Sequence, residues 1–217
     1  MATFPNSPRL LKGGLVVLDP DTGSVQRIVT LQYNPETLSR SLQVQSVSSD
    51  SGDRSEALRL KGPPIETLRL EAEIDAADQL EVAEAAATQL GIHPQLAALE
   101  TLVYPTSSQL LANDRLAQAG TLELTPMEAP LTLFIWSKTR ILPVRLTEFS
   151  ITEEAFDPAL NPIRAKVSLG MRVLSVDDLG FAHKGGSLYL SYHQQKERLA
   201  ALKQGGTLNV LGLGGRL

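Results

Sequence analysis

Glu71 and Glu73 stand two residues apart in a segment that alternates apolar and charged side chains, and Glu153-Glu154 shortly precede Asp157. Paired carboxylates of this kind can carry acid–base hydrolysis of a glycosidic bond. The same residues also make an ordinary solvated strand face and loop, the usual place of carboxylates. A metal triad would require His93, His183 and His193 to converge, since the 217 residues contain 3 His and no Cys. No carboxylate stands at a characteristic ligand spacing from them. Absence of cysteine also excludes disulfides, thiolate zinc sites, iron–sulfur clusters and cysteine nucleophiles. No Gly-x-Ser-x-Gly elbow, dinucleotide fingerprint or phosphate-cradling loop is present, and Gly185-Gly186 and Gly212-Leu213-Gly214-Gly215 read as hinge and tail. Trp136 reads as a core anchor. No catalytic residue, metal or cofactor is expected.

The elements that would position any site are mostly strands. Gly14–Asp19, Val25–Tyr33 and Leu38–Val47 predict three strands, the first two a hairpin around Pro20-Asp21-Thr22-Gly23. The polar stretch within 46–62, closed by Gly62-Pro63-Pro64, predicts an extended loop. In Ile65–Ile74, Leu68, Leu70, Ala72 and Ile74 alternate with Thr67, Arg69, Glu71 and Glu73. A helix over Ala76–Leu90 follows, capped by Asp75 and stopped at Gly91, then a short one from Pro94 and an ambiguous helical stretch near Gln109–Ala117. Further strands are expected at Thr121–Leu124, at the doubly apolar Leu131–Trp136, and over Thr139–Ile151 with an edge or bulge at Pro143. Ile163–Val173 is the cleanest alternation, its wet face basic. Ser187–Lys203 predicts a closing helix before a Gly-rich tail. The fold class is α+β, mainly antiparallel β, a β-sandwich or barrel with a flanking helix and a C-terminal helical extension.

With 20 Lys plus Arg against 24 Asp plus Glu, the net charge is −4. This gives no footprint for nucleic acid or for an anionic membrane. No apolar run is long enough to span a bilayer and no secretory signal is visible, so folding in the cytoplasm is expected. The balance hides a separation by strand: acidic around Arg69, Glu71 and Glu73, basic around Arg164, Lys166 and Arg172. Opposite-signed strands suit docking between copies in a head-to-tail ring, where charge fixes register. Asp50, Asp53 and Arg54, in the extended loop, complete the candidate assembly residues.

Four separated segments then carry a resemblance: Gln32-Tyr33-Asn34-Pro35-Glu36-Thr37-Leu38, Gly62-Pro63-Pro64-Ile65-Glu66-Thr67, Gly91-Ile92-His93-Pro94-Gln95-Leu96-Ala97-Ala98-Leu99-Glu100, and Leu142–Leu174. In this order, over about residues 10–193, the chain resembles the tube-protein domain of contractile injection systems, which are phage-tail-like particles. The resemblance implies an inner-tube-like fold in which two packed antiparallel sheets close into a small barrel. It implies a ring, six copies, with strands lining a lumen and loop 46–62 reaching a neighbour. It further implies an adaptor at the base of the inner tube, between the inner-tube protein and the spike hub, with baseplate components outside. Domains follow as a leader at 1–13, the tube-like domain at 14–180, and a helix and tail at 181–217. Related chains continue into a LysM module, which these residues lack, so peptidoglycan binding is not expected. The alternatives are a plain inner-tube ring subunit and, from another class, a peptidoglycan-binding cell-wall protein.

Overall fold

The computed structural model describes residues 11–19, 22–46, 59–120, 129–203 and 205–206. Within them lie β1 (Gly14–Leu18), β2 (Val25–Thr30), β3 (Leu38–Gln43), β4 (Ile65–Asp75), α1 (Ala77–Glu81), α2 (Ala85–Leu90) and α3 (His93–Glu100). The second half supplies α4 (Ser107–Gln118), β5 (Leu131–Ser137), β6 (Arg140–Phe156), β7 (Pro162–Val173), α5 (Val176–Leu179) and α6 (Lys184–Leu202). The expected strand at Thr121–Leu124, the middle of loop 46–62 and most of the tail lie outside the described residues. Among the described residues no helix is long and apolar enough to cross a membrane.

The α+β class with antiparallel strands stands, but the strands do not divide into two packed sheets. They form one seven-stranded sheet in the order β2-β1-β5-β6-β7-β4-β3, not closed into a barrel. The reason lies in β6, whose 17 residues serve both halves. Its start pairs with β5 (Thr132 opposite Val144) and its remainder with β7, as far as Phe156 opposite Pro162. A register shift between Leu146 and Glu148 bends the strand without ending it.

Side-chain amides partly replace the missing closure. The Gln32 carboxamide accepts from the Asp75 N–H at 2.9 Å and donates to the Asp75 carbonyl at 2.7 Å. Asn34 likewise accepts from the Gly13 N–H and donates to the Leu11 carbonyl, at 2.9 and 2.7 Å. Each amide presents one donor and one acceptor, as a peptide group does, and so ties the β2–β3 connection to backbone it does not pair with.

Pro143 sits inside central β6, fully buried, rather than at an edge or bulge. Its carbonyl accepts from Leu174, just beyond the end of β7. A strand residue turns its N–H and C=O to the same side, so the missing donor falls where the neighbouring ladder has already finished. The expected helix over Ala76–Leu90 is divided into α1 and α2 at Ala83, which adopts φ 51°.

One sheet face carries the main core. Leu68, Leu70, Ala72 and Ile74 of β4 align with Met171, Leu169, Val167 and Ala165 of β7, and Ile92, Leu96 and Leu99 from the α3 segment join the same cluster. Tyr189 and Tyr192 of α6 complete it. Gly185 and Gly186, expected as a hinge, are buried in the first turn of α6. A Cβ on Gly186 would stand 1.9 Å from the Gly180 carbonyl, so close helix packing is their role.

Candidate assembly interface

The two strands read as acidic and basic lie side by side. β4 and β7 are antiparallel neighbours, with Glu73 opposite Lys166, Asp75 opposite Arg164 and Thr67 opposite Arg172. Strand alternation places Arg69, Glu71, Glu73, Arg164, Lys166 and Arg172 on one face, opposite the main core. Sequence order separates the two groups by some ninety residues, yet the register joins them.

Most of these charges are satisfied within the protomer. Arg164 reaches Asp75 at 2.7 Å and Glu73 at 3.7 Å, and Lys166 reaches Glu154 at 3.0 Å. Arg69 bonds Glu148 and Arg172 bonds Asp178, at 2.8 and 2.7 Å. Glu71 makes no direct ion pair among the described residues. Asp50, Asp53 and Arg54 lie outside them. Pairing raises the affinity of Lys166 for its proton, first through the hydrogen bond to Glu154 and then through that carboxylate's charge.

Asp75 is the point where this face meets the fold. Its Oδ1 accepts from the Ala77 N–H at 2.7 Å, two residues on, while Oδ2 accepts from Arg164; the N-cap of α1 is Ala76 rather than the expected Asp75, and no side chain caps the helix. Burial alone would raise its pKa, but the Ala77 N–H and the Arg164 hydrogen bond and charge outweigh burial and hold it below the ordinary value. A depressed folded pKa gives stability that is present above the unfolded pKa, about 3.9, and lost as pH falls through the folded pKa. Denaturant melts from pH 6 down to pH 2 should therefore show a steeper acid loss for the native chain than for Asp75→Asn; equal slopes would refute this role.

A second charged group was missed by the strand reading. Glu66 occupies the core-facing register of β4, its side chain only 3% exposed, and receives Lys196 at 2.9 Å and the Tyr192 hydroxyl at 3.2 Å. Arg40 of β3 stands 3.8 Å away, and the Lys196 ammonium lies 4.1 Å over the Tyr192 ring. The signal was present: Glu66 is the one carboxylate in phase with Leu68, Leu70, Ala72 and Ile74, and Tyr192 and Lys196 are spaced i, i+4 on a helix. This cluster pins α6 across the end of the sheet where β4 begins.

None of these groups forms a catalytic constellation. Among the described residues no three His, Asp or Glu side chains come together as a metal site. Glu71 and Glu73, the candidate acid–base pair, face Ser168 and Lys166 across an open strand surface. The family model for contractile injection system tube proteins matches residues 16–178. The chain belongs to that family. It is thus a structural component of a contractile injection system tube, from a family not known for enzymes. Among solved structures, this tube protein is similar to a chain in the "Tail of empty GTA particle computed with helical refinement, C6 symmetry", with TM-score 0.28 and 14% identity over 75% of this chain and 90% of that one. A chain of the "Virion of native gene transfer agent (GTA) particle" matches with TM-score 0.27 and 13% identity, over 74% and 90%. No curated protein matches its sequence.

Proposed function

We propose that this tube protein assembles in the cytoplasm as a ring that adapts the base of the inner tube to the spike hub, with baseplate components around it. The observation that carries the ring is a pair of strand edges that have no partner among the described residues. β3 ends the sheet, and β6 beyond Leu146 pairs only with β7 among the described residues. Counting both edges, four antiparallel strands run from one to the other, β6-β7-β4-β3. An even number preserves alternation, so β3 of one copy meets β6 of the next in antiparallel sense all the way round. Edge pairing satisfies the backbone groups that an open edge leaves exposed. The ring would hold six copies and turn its charged β4–β7 face to the lumen or to adjoining rings, with Arg69, Glu71, Glu73, Arg164, Lys166 and Arg172 upon it and Asp50, Asp53 and Arg54 in the reaching loop.

The adaptor position is supported by α6. It lies beyond the family-matched residues 16–178 and is held against the sheet end by Glu66, which gives this ring an added surface for a hub or baseplate partner. Electron microscopy of the purified chain, then of particles carrying a label after α6, tests both levels. Rings with label at one place beside the spike are expected. Label repeated along the tube would identify a plain inner-tube subunit, and retention on peptidoglycan sacculi without rings would favour the cell-wall reading.

A further inference from the structure

Resting on the ring reading above, we propose that the joint between neighbouring copies is sealed by Leu42 and Val44 of one copy, seated in the groove between α3 and β6 of the next. The groove is lined by Val103 and Tyr104, in the turn after α3, and by Leu146, Phe149 and Ile151 of β6. Tyr104 is 68% exposed although it is a large ring beside apolar neighbours. The opposite edge of the molecule has the matching excess. Leu42 and Val44 are 46% and 66% exposed, yet they continue the alternation of Leu38, which packs against the main core. Their side chains belong to the core-facing side of the sheet, and among the described residues they remain largely exposed.

The two edges agree in three respects. The faces agree, because Leu146, Phe149 and Ile151 pack against the same core as Leu38, and adjacent strands share a face. The direction agrees, by the alternation of the four strands. One charge pair agrees as well: Arg40, opposite Leu68, and Glu153, opposite Ala165, both lie on the core-facing side, whereas Glu148 and Glu154 are already paired with Arg69 and Lys166 on the other. An Arg40–Glu153 pair would favour β3–β6 joining over β3–β3 or β6–β6. Glu100, Thr147 and Glu148 complete the groove, and two apolar side chains seated between its five apolar ones supply the burial that edge hydrogen bonds alone do not. The occupant is thus a second copy of this chain.

The chain has no cysteine, so introduced thiols are unique. Val44→Cys and Tyr104→Cys are prepared as separate variants, mixed, assembled and treated with a short bismaleimide. Covalent dimers that require both variants are expected, and the double variant should give a ladder reaching the full ring. Val44→Asp should abolish rings while leaving the melting temperature of the monomer unchanged, because Val44 is 66% exposed and lies beyond the β3–β4 register. Rings seen by microscopy with no cross-linked dimer would overturn the groove contact and leave the ring reading intact. A double variant that cross-links only within one chain would overturn it too. Unaltered native chain that forms no ring at all would sink the reading beneath it.

Discussion

Replacing Gly91 by alanine should lower unfolding stability by about 3–4 kcal/mol, one of the largest effects available from a single methyl group in this chain. Gly91 adopts φ 58° and ψ −133°, a region that residues with a Cβ avoid. The added Cβ would stand 2.1 Å from the Pro162 carbonyl oxygen. That oxygen accepts the Ile92 N–H at 2.9 Å, the bond that seats the α2–α3 segment on the start of β7. Relieving the clash therefore breaks the bond and moves Ile92, which is wholly buried. Gly120 is the control: its φ is 83° but a Cβ there meets nothing within 4 Å. Gly120→Ala should cost only the backbone term, about 1–2 kcal/mol. Urea titration of both variants measures the difference; equal midpoints would show that the Pro162 contact contributes nothing.

The second large effect concerns the Glu66 cluster, where the order of losses is the prediction. Lys196→Met should destabilise by about 2–3 kcal/mol, more than Glu66→Gln, which should cost about 1 kcal/mol. The asymmetry follows from exposure. Removing Lys196 leaves a buried carboxylate with only Tyr192 and the more distant Arg40. Removing the charge of Glu66 leaves two cations that are each about a third exposed and can take up water. Hydrogen exchange in α6 reads the same event locally, with protection lost first in Lys196→Met. Greater loss in Glu66→Gln would reverse the assignment of which partner the burial penalises.

Periodicity located the long strands because their environments are one-sided. The alternation of Ile163–Val173 and of Ile65–Ile74 reappears residue by residue in β7 and β4, and the doubly apolar Leu131–Trp136 became central β5. What periodicity cannot express is how far one strand extends past its neighbours. The single sheet arises because β6 continues through Pro143, which looked in sequence like a break, and on to Phe156, past the expected end at Ile151. The break at Ala83 was hidden for the opposite reason, since an alanine-rich stretch favours helix wherever tertiary contacts do not intervene. The charged face was legible as two faces of opposite sign, but their pairing depends on register between strands distant in the chain. Glu66 was legible by phase alone. Gln32, Asn34 and Gly91, noticed as parts of the segments that carry the family resemblance, turn out to hold connections in place.

The charge ladder on β4, β6 and β7 is paired within each protomer except at Glu71, and this has a consequence for transport. On the proposed ring, a wall built from such ladders carries cation and anion at alternating positions a few ångströms apart. Where that face lines the lumen, neighbouring opposite charges cancel most of the field close to the surface, and what remains is a weak negative excess from Glu71 and from the two carboxylates that share Arg164. A polypeptide moving through it would meet no strong attraction of the kind an unpaired charged wall exerts. Passage would then depend more on width than on the sign of the cargo.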